Sequence, residues 1–448
     1  MTYTKNLTDG PVGKTLWNLT LPMIAGFFSM IAFNLVDTLF VAQLGTDSLA
    51  AMSFTFPVIF FLAGMMVGLG TGTASVISRA VGAGDADRAR RLTTDTILLG
   101  FVWAIIFSVL GLVTIDPLFS LLGASPPIRA LIGQYMSILY GGMFVFIVPV
   151  MGNHAMRGCG DTLTPSIIMM GAAAINAVLD PIFIYGLFGF PRMELAGAAL
   201  ATIIARTISL VSAIWVLHWR KRMLVRIRPR LLDAWDSWRP ILIVALPSAL
   251  ANLSVPLSMA VITHLASRFG PGAVAAVGAG IRLENVALLV VLALAAAIIP
   301  FIGQNYGAGR PDRVRGGYFF SARFSVFYGL GIWALFFVLA YPIARLFSDD
   351  PEVVGYIVWF VRIMPGGYPL LGIGHVTIAA FNSINRPLSA AMINLVRMFF
   401  LAVPLSYLGA WLFSVPGIFA GMALANVISG VGSLVLFRWM SREKRLSG

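Results

Sequence analysis

The run LPMIAGFFSMIAFNLVDTLFVAQLG, residues 21–45, decides the fold class. It is long and apolar enough to cross a lipid bilayer as a helix, and Asp37 is its single charged residue. A carboxylate at the centre of a bilayer costs roughly 2.5 to 3.5 kcal/mol on insertion scales, so such a residue indicates a functional site. The run therefore predicts a membrane-spanning helix that carries a functional carboxylate.

The composition extends this interpretation to the whole chain. The 448 residues are 59% hydrophobic and only 11% charged, with a mean hydropathy of +0.90, which excludes a soluble protein. Lipid permits only helices and closed barrels, and the long apolar runs lack the alternation of barrel strands. The sequence thus predicts an all-α integral membrane protein.

Apolar runs bounded by charged residues, Gly or Pro predict twelve transmembrane helices. Their approximate bounds are 16–41, 48–77, 93–115, 129–152, 163–187, 195–217, 241–267, 273–302, 317–342, 353–380, 387–411 and 416–439. The longest polar interruption, 218–240, is basic and predicts a cytoplasmic linker. It separates an N-terminal six-helix lobe, residues 1–217, from a C-terminal six-helix lobe, residues 241–448.

An internal repeat relates the two halves. VGAGDADRAR at 81–90 recurs as YGAGRPDRVR at 306–315, and LGTDSLAAM at 44–52 recurs as FGPGAVAAV at 269–277, both at an offset of 225. Later in each half, AGAALAT and AGMALAN match at an offset of 224. An even number of helices per half gives both copies the same orientation, which predicts two bundles related by a pseudo-two-fold axis along the membrane normal.

The repeat also shows where the halves differ. At the offset of 225, Asp37 aligns with Ile262 and Asp180 aligns with Leu405. If these carboxylates only held the fold together, we would expect both halves to contain them. Their restriction to the first half favours a functional role.

The basic residues report the orientation in the membrane. We count 22 Lys and Arg on the side of the termini, four on the other side and five inside predicted spans. Because cytoplasmic loops carry the excess, both termini are predicted to be cytoplasmic, in a multi-pass protein of the plasma (inner) membrane. Topology explains the net charge of +13, so no nucleic-acid partner is expected. Cys159 is the only cysteine, which excludes an internal disulfide.

Polar residues inside the apolar runs fall on shared helix faces. Asn34 and Asp37 are three residues apart, and Asn176 and Asp180 are four apart. Thr202 on the sixth predicted helix could join them in one polar cluster. Such a cluster could bind Na⁺ through its oxygen atoms, or it could hold protons on the carboxylates. The alternative is that these side chains only hydrogen-bond helices to one another.

Further candidates extend the site. Tyr135 and Asn153, both on the fourth predicted helix, are candidate substrate-binding residues. Glu284 is the strong acidic candidate of the second half, for coupling or for substrate binding. Pro22 lies on the same helix as Asp37 and is a candidate hinge, because proline removes a helical hydrogen bond. His375 is better explained as a hydrogen-bonded histidine of the bundle.

These motifs resemble the multidrug and toxic compound extrusion (MATE) transporters, and more narrowly their DinF-like branch. The resemblance rests on the opening run, on the two GAG loops and on MRGCGDTLTPSIIMMGAAAINAVLDPIFIYG, residues 156–186. It implies an antiporter that exports cationic amphipathic compounds in exchange for H⁺ or Na⁺, and we expect this antiporter to be a monomer. It implies no enzyme activity and no cofactor.

The resemblance also assigns roles to positions. The coupling aspartate of the family falls on Asp37, and the pair on its fifth helix falls on Asn176 and Asp180. The supporting polar positions fall on Tyr135, Asn153 and Thr202. If the coupling ion is Na⁺, its ligands would come from Asp37, Asp180, Asn176 and Thr202.

Three other functions are open at this point. A major-facilitator transporter also has two six-helix halves, but it has no place for the motifs around Asp37 and Asp180. A lipid-linked oligosaccharide flippase would share the fold, but it should line its cavity with cationic residues. A membrane enzyme would need a catalytic cluster, and the sequence shows no metal motif and no nucleophile with a base.

Overall fold

The computed structural model describes residues 6–225 and 231–442, and within them every regular element is a helix. The α-helices are α1 Val12–Ala42, α2 Thr46–Gly82, α3 Ala86–Leu121, α4 Pro126–Gly141, α5 Met143–Gly158, α6 Leu163–Tyr185, α7 Glu194–Trp215, α8 Leu231–Ser267, α9 Pro271–Gly307, α10 Pro311–Val338, α11 Ala340–Arg345, α12 Pro351–Ile363, α13 Tyr368–Ser383, α14 Pro387–Leu395 and α15 Val403–Arg442. Short 3₁₀ segments lie at Leu187–Gly189 and Met364–Gly367, and π-helical segments at Val216–Arg220 and Val396–Ala402.

The apolar helices confirm the predicted fold class. Ten helical segments of the described chain are long and apolar enough to span a membrane, or eleven when the bent pair α4 and α5 is taken as one span. One of these segments, Pro387–Ser441, is 55 residues long and contains non-helical backbone at Phe413 and Ser414. Because this break divides it into two spans, the described chain contains the twelve predicted spans.

The predicted span 129–152 is not one straight helix. Helix α4 ends at Gly141 and α5 begins at Met143, with a bend of 48° between them. An added Cβ at the intervening Gly142 would lie 2.1 Å from Cδ1 at the flexible end of Ile203, so α7 packs closely against the bend. Hydropathy did not reveal the bend because both arms are equally apolar.

The two GAG loops have the same backbone geometry, which supports the repeat read from the sequence. Gly84 and Gly309 both adopt positive φ, at 77° and 66°, a conformation that favours glycine. Asp85 follows the first of these glycines and caps α3, accepting a hydrogen bond of 2.9 Å from the backbone N–H of Arg88. With this cap, α3 begins seven residues before the predicted span 93–115.

The chain folds into two compact units. Unit 1 contains Leu21–Ala245, and unit 2 contains Leu7–Thr20 together with the chain from Leu246 onward. The boundaries fall inside α1 and α8, at the repeated Leu-Pro pairs that begin at Leu21 and Leu246. The lobes 1–217 and 241–448 and the linker 218–240 remain a prediction, and residues 226–230 of that linker lie outside the described residues.

Hydrogen bonds hold the chain segments that precede the two repeated Leu-Pro pairs. In unit 2, the backbone N–H of Leu7 donates to Gln304 Oε1 at 3.1 Å, and Arg313 donates to the Leu7 carbonyl at 3.1 Å. In unit 1, Ser237 Oγ donates to Asp95 Oδ2 at 2.5 Å. Helices α1 and α8 are thus divided between the units. The first part of α1 belongs to unit 2, and the first part of α8 belongs to unit 1.

Each unit has its own apolar core and an apolar outer surface. Tyr140 and Met151 are buried in unit 1, and Phe360 and Phe419 are buried in unit 2. Large apolar side chains are also widely exposed, for example Phe327 with 74% of its surface. Water would make such exposure unfavourable, whereas lipid tails accommodate it.

Candidate coupling and substrate sites

A polar cluster inside unit 1 is centred on helix α6. Asn176 and Asp180 are one turn apart, and Asn176 Nδ2 donates to Asp180 Oδ1 at 3.1 Å. The same nitrogen donates to Thr202 Oγ1 on α7 at 3.4 Å. Asp180 is fully buried, and Asn176 and Thr202 are buried as well. The predicted site residues Asn176 and Asp180 of α6 and Thr202 of α7 therefore form one hydrogen-bonded group.

Asp37 and Tyr135 belong to the same polar interior. Asp37 of α1 acts electrostatically on Asp180, and both carboxylates act on the Tyr135 hydroxyl of α4. Asp37 and Tyr135 are both buried. Two acidic side chains that interact without a cation between them repel one another when both are ionised. We name Asp37, Tyr135, Asn176, Asp180 and Thr202 the acidic cluster.

The acidic cluster contains oxygen atoms that nothing in the described chain satisfies. Asp37 Oδ1, Asp180 Oδ2 and Asn176 Oδ1 are buried and lack a hydrogen-bond partner among the described residues. A buried oxygen without a donor is costly, and either a proton on a carboxylate or a bound cation would relieve this cost. Among the described residues, no three His, Cys, Asp or Glu side chains are placed to hold a metal ion, so a cation would also require the amide and hydroxyl oxygens.

Three predicted site residues are not joined to this cluster. Asn153 is buried on α5, and no hydrogen bond in the described chain connects it to Asp37 or Asp180. Asn34 is exposed, and its backbone carbonyl accepts from Thr38. Pro22 lies inside α1, which remains helical through it.

A second polar cluster lies in unit 2. Arg397 Nη1 donates to Asn426 Oδ1 at 3.2 Å, and Arg397 Nη2 donates to Asn394 Oδ1 at 2.9 Å. The Asn394 amide is in turn held by the Ala251 carbonyl at 2.6 Å and by Ser254 Oγ at 3.4 Å. Helices α8, α14 and α15 thus position one guanidinium group.

Glu284, the acidic candidate of the second half, is near enough to this guanidinium to interact with its charge. Glu284 of α9 interacts electrostatically with Arg397 and with Tyr368, and His375 also interacts with Arg397. We name Glu284, Tyr368, Asn394, Arg397 and Asn426 the basic cluster. Its central residue, Arg397, was counted among the basic residues inside predicted spans but was not predicted as a site residue. The available signal was the repeat, in which Asn426 occupies the position of Thr202.

A family comparison matches both halves separately. The MatE family model matches residues 22–182 and again residues 247–408. The two matches begin 225 residues apart, which is the offset of the internal repeat. The chain belongs to the MATE family. Members of this family are transporters, and the chain is therefore a multi-pass membrane transporter and not an enzyme.

Relatives of this MATE transporter cover almost its whole length. It is 38% identical to the FAD transporter of Shewanella oneidensis, over 96% of this chain and 95% of the relative. It is 24% identical to the probable multidrug resistance protein NorM of Thermotoga maritima, over 90% of this chain and 88% of the relative. A crystal structure of the Vibrio cholerae MATE transporter VcmN in the bent form matches with a TM-score of 0.92 at 30% identity, covering 97% of this chain and 98% of that chain.

Proposed function

We propose that this MATE transporter is an efflux antiporter that exports cationic amphipathic compounds in exchange for H⁺ or Na⁺. This proposal rests on the buried carboxylates of Asp37 and Asp180. Asp37 Oδ1 and Asp180 Oδ2 lack a hydrogen-bond partner within the described chain. A proton or Na⁺ would neutralise this pair, whereas the ionised pair attracts a cationic substrate. The same charge can therefore respond to both the ion and the substrate.

Alternating access would link these two binding events. Because only different affinities for two conformations can shift their equilibrium, ion and substrate must favour opposite states or compete for one state. Ion entry neutralises the acidic cluster, changes the position of α1 and releases the substrate. Pro22 supports a bend in α1, since its missing N–H cannot donate to the carbonyl of Asn18.

A second candidate function is the export of a flavin nucleotide. The 38% identical relative is an FAD transporter, and the similarity covers nearly all of both chains. A flavin nucleotide carries negative phosphoryl groups, which the acidic cluster would repel and which a guanidinium would attract. The basic cluster of unit 2 favours this candidate, and the acidic cluster would then serve the coupling ion alone.

The same proposal includes the setting of the transporter. The excess of Lys and Arg on the side of the termini supports cytoplasmic termini and insertion into the plasma (inner) membrane. Antiport by a single chain also requires no second copy, because both units belong to one polypeptide. We therefore propose that the monomer is the transporting form.

The test is transport by the purified protein in sealed liposomes loaded with a fluorescent organic cation. A pH jump and a Na⁺ jump are applied separately, and dye movement is recorded for the wild type, for Asp37→Asn and for Asp180→Asn. We expect one of the two jumps to drive dye movement in the wild type, and we expect both variants to lose this response.

Asp116→Asn provides the matched control. Asp116 is an exposed carboxylate on α3, so its substitution removes the same charge outside the acidic cluster. This variant should respond like the wild type. Undiminished ion-driven transport in Asp37→Asn and Asp180→Asn would overturn the proposal. Ion-driven transport of FMN without transport of the organic cation would replace the first candidate substrate with the second.

A further inference from the structure

Arg397 occupies an unusual place in unit 2. It lies in the π-helical segment Val396–Ala402, which follows α14, whereas the corresponding part of unit 1 is the continuous helix α6. Short π-helical segments are uncommon and occur frequently at functional sites. The side chain is half-buried, and amide oxygens from two other helical positions hold its terminal nitrogens. The guanidinium is thus fixed in direction before any ligand binds.

The basic cluster contains buried hydrogen-bond donors with no acceptor. Asn426 Nδ2 and Tyr368 Oη are buried and lack a partner in the described chain. Asn426 is 3% exposed and Tyr368 is 1% exposed, so water does not readily satisfy these groups. A buried donor without an acceptor destabilises the protein, and an acceptor oxygen from a ligand would relieve this cost.

Close packing keeps these donors in one place. Gly367 directly precedes Tyr368, and an added Cβ at Gly367 would lie 3.1 Å from Asn426 Cβ and 2.8 Å from the Ala423 carbonyl. The turn before α13 therefore packs directly on α15 beside Asn426. The cluster contains a fixed guanidinium, a free amide N–H group and a hydroxyl group, each of which can donate a hydrogen bond to an anion.

We propose that the basic cluster is a binding site for the phosphoryl group of an anionic substrate, with Arg397, Asn426 and Tyr368 as its donors. Arginine suits this role because its planar fork of N–H groups matches the oxygens of a phosphate. Two of its five N–H groups point to the amide oxygens of Asn394 and Asn426, and the others remain for a ligand.

The negative charge of Glu284 provides a second test of phosphate binding at Arg397. It interacts electrostatically with Arg397, yet in the described chain Arg397 forms no ion pair with a carboxylate. Its negative charge would repel a phosphoryl group in the site. If Arg397 served only to bind Glu284, neutralising Glu284 would leave the guanidinium without a role. If Arg397 binds phosphate, the same change should strengthen binding.

This inference deepens the second candidate function, because it names the part of a flavin nucleotide that the protein would recognise. It does not depend on the coupling role of Asp37 and Asp180. Ligand binding to the detergent-purified full chain tests it without transport, so failure of the coupling proposal and failure of this one are distinguishable.

The experiment compares FMN with riboflavin, which differ by one phosphoryl group and are both fluorescent. We expect the wild type to bind FMN at least about tenfold more tightly than riboflavin, the gain of a charge-assisted hydrogen bond. Inorganic phosphate should compete with FMN and not with riboflavin. Arg397→Gln should remove the preference, and Arg397→Lys should retain part of it because it keeps the charge without the fork.

Two further variants distinguish a specific loss of binding from misfolding of the protein. Glu284→Gln should increase FMN affinity and leave riboflavin affinity unchanged, a gain that a misfolded protein cannot show. Arg362→Gln is the matched control, since Arg362 is an exposed arginine of unit 2 that lies over the Phe337 ring. This control should bind FMN as the wild type does. Equal affinity for FMN and riboflavin in the wild type, or an unchanged preference in folded Arg397→Gln, would overturn the proposal.

Discussion

The acidic cluster of unit 1 and the basic cluster of unit 2 use the same repeat position for opposite purposes. Thr202 accepts a hydrogen bond from Asn176 beside Asp180, whereas its repeat counterpart Asn426 accepts one from Arg397. The acidic cluster leaves buried acceptors without donors, and the basic cluster leaves buried donors without acceptors. Under the two proposals above, a cation would bind to the first cluster and an anion to the second.

The largest effect should follow from giving unit 1 the residue that unit 2 has. Asp180→Leu imports the residue of the counterpart Leu405 and removes a fully buried carboxylate. We expect ion-driven transport in liposomes to fall to the rate of protein-free liposomes, because the remaining acidic side chain cannot provide the paired charge. Leu405→Ala is the control and should keep ion-driven transport. Coupling that survives Asp180→Leu would contradict the functional asymmetry of the repeats.

The reverse exchange should destabilise unit 2. Ile262 is the counterpart of Asp37, is 1% exposed and packs in the apolar core. Ile262→Asp would place a carboxylate there without a partner, at a cost of about 2.5 to 3.5 kcal/mol. Thermal unfolding in detergent measures this loss, and Ile262→Val, expected to cost about 0.5 to 1.5 kcal/mol, is the size control. If the Ile262→Asp variant unfolds at the same temperature as the Ile262→Val variant, unit 2 can accommodate a carboxylate at the position where unit 1 has Asp37.

A smaller effect is expected from Asn426→Thr, which gives the basic cluster the residue of the acidic one. The shorter side chain loses the oxygen that holds Arg397 Nη1 and the free amide donor. FMN affinity should fall about tenfold, and riboflavin affinity should remain unchanged. The reciprocal change, Thr202→Asn, should leave FMN affinity as it is. Equal loss of both flavins in Asn426→Thr would indicate a general structural defect.

The smallest effect concerns a loop of unit 1, where Asp161 lies 2.6 Å from Lys221 Nζ. Burial raises the pKa of the Asp161 carboxyl, but hydrogen bonds from Lys221 and Thr164 and the Lys221 charge outweigh this and lower the pKa below its usual 3.8. A lowered pKa stabilises the folded state at neutral pH, and this stabilisation disappears as the pH falls through the lowered value. At the offset of 225, unit 2 has Arg386 at this position.

Asp161→Asn should therefore cost about 1 kcal/mol at pH 7, after allowance for solvent screening. The difference from the wild type in thermal unfolding should narrow below about pH 4. Asp87→Asn serves as the control, since Asp87 forms a 3.7 Å ion pair with Arg90 but its side chain is 96% exposed. A difference for Asp161→Asn that is independent of pH would show that the ion pair is not its source.

Sequence patterns predicted the fold because membrane spans depend on length and hydropathy, which a single sequence contains. They predicted the neighbours Asn176 and Asp180 for a similar reason, since residues four apart share one helical face. The bend at Gly142 escaped prediction because apolar residues continue through it. The break at Phe413 was predicted, since it lies between the predicted spans 387–411 and 416–439. Backbone direction depends on packing against other helices, such as the contact at Ile203.

The basic cluster escaped prediction for another physical reason. Glu284, Arg397 and Asn426 are far apart in sequence, and no spacing rule connects them. Their proximity results from the packing of α9, α15 and the π-helical segment between α14 and α15. The acidic cluster was accessible because resemblance to a known family identified its members together. Arg397 had no such guide, and a basic residue inside a predicted span was assigned to no site.

Helices α1 and α8 cross the boundaries between the two units, at Leu21 and Leu246. This limits where the chain can be cut into two parts that fold. A chain cut within 226–230 would give two half-length polypeptides that match the repeat in sequence but not the compact units in structure. The first half would lack the part of unit 1 that begins α8, and the second would lack Leu7–Thr20 of unit 2. Because each half would lack part of a compact unit, we expect a split transporter to accumulate only when both halves are co-expressed.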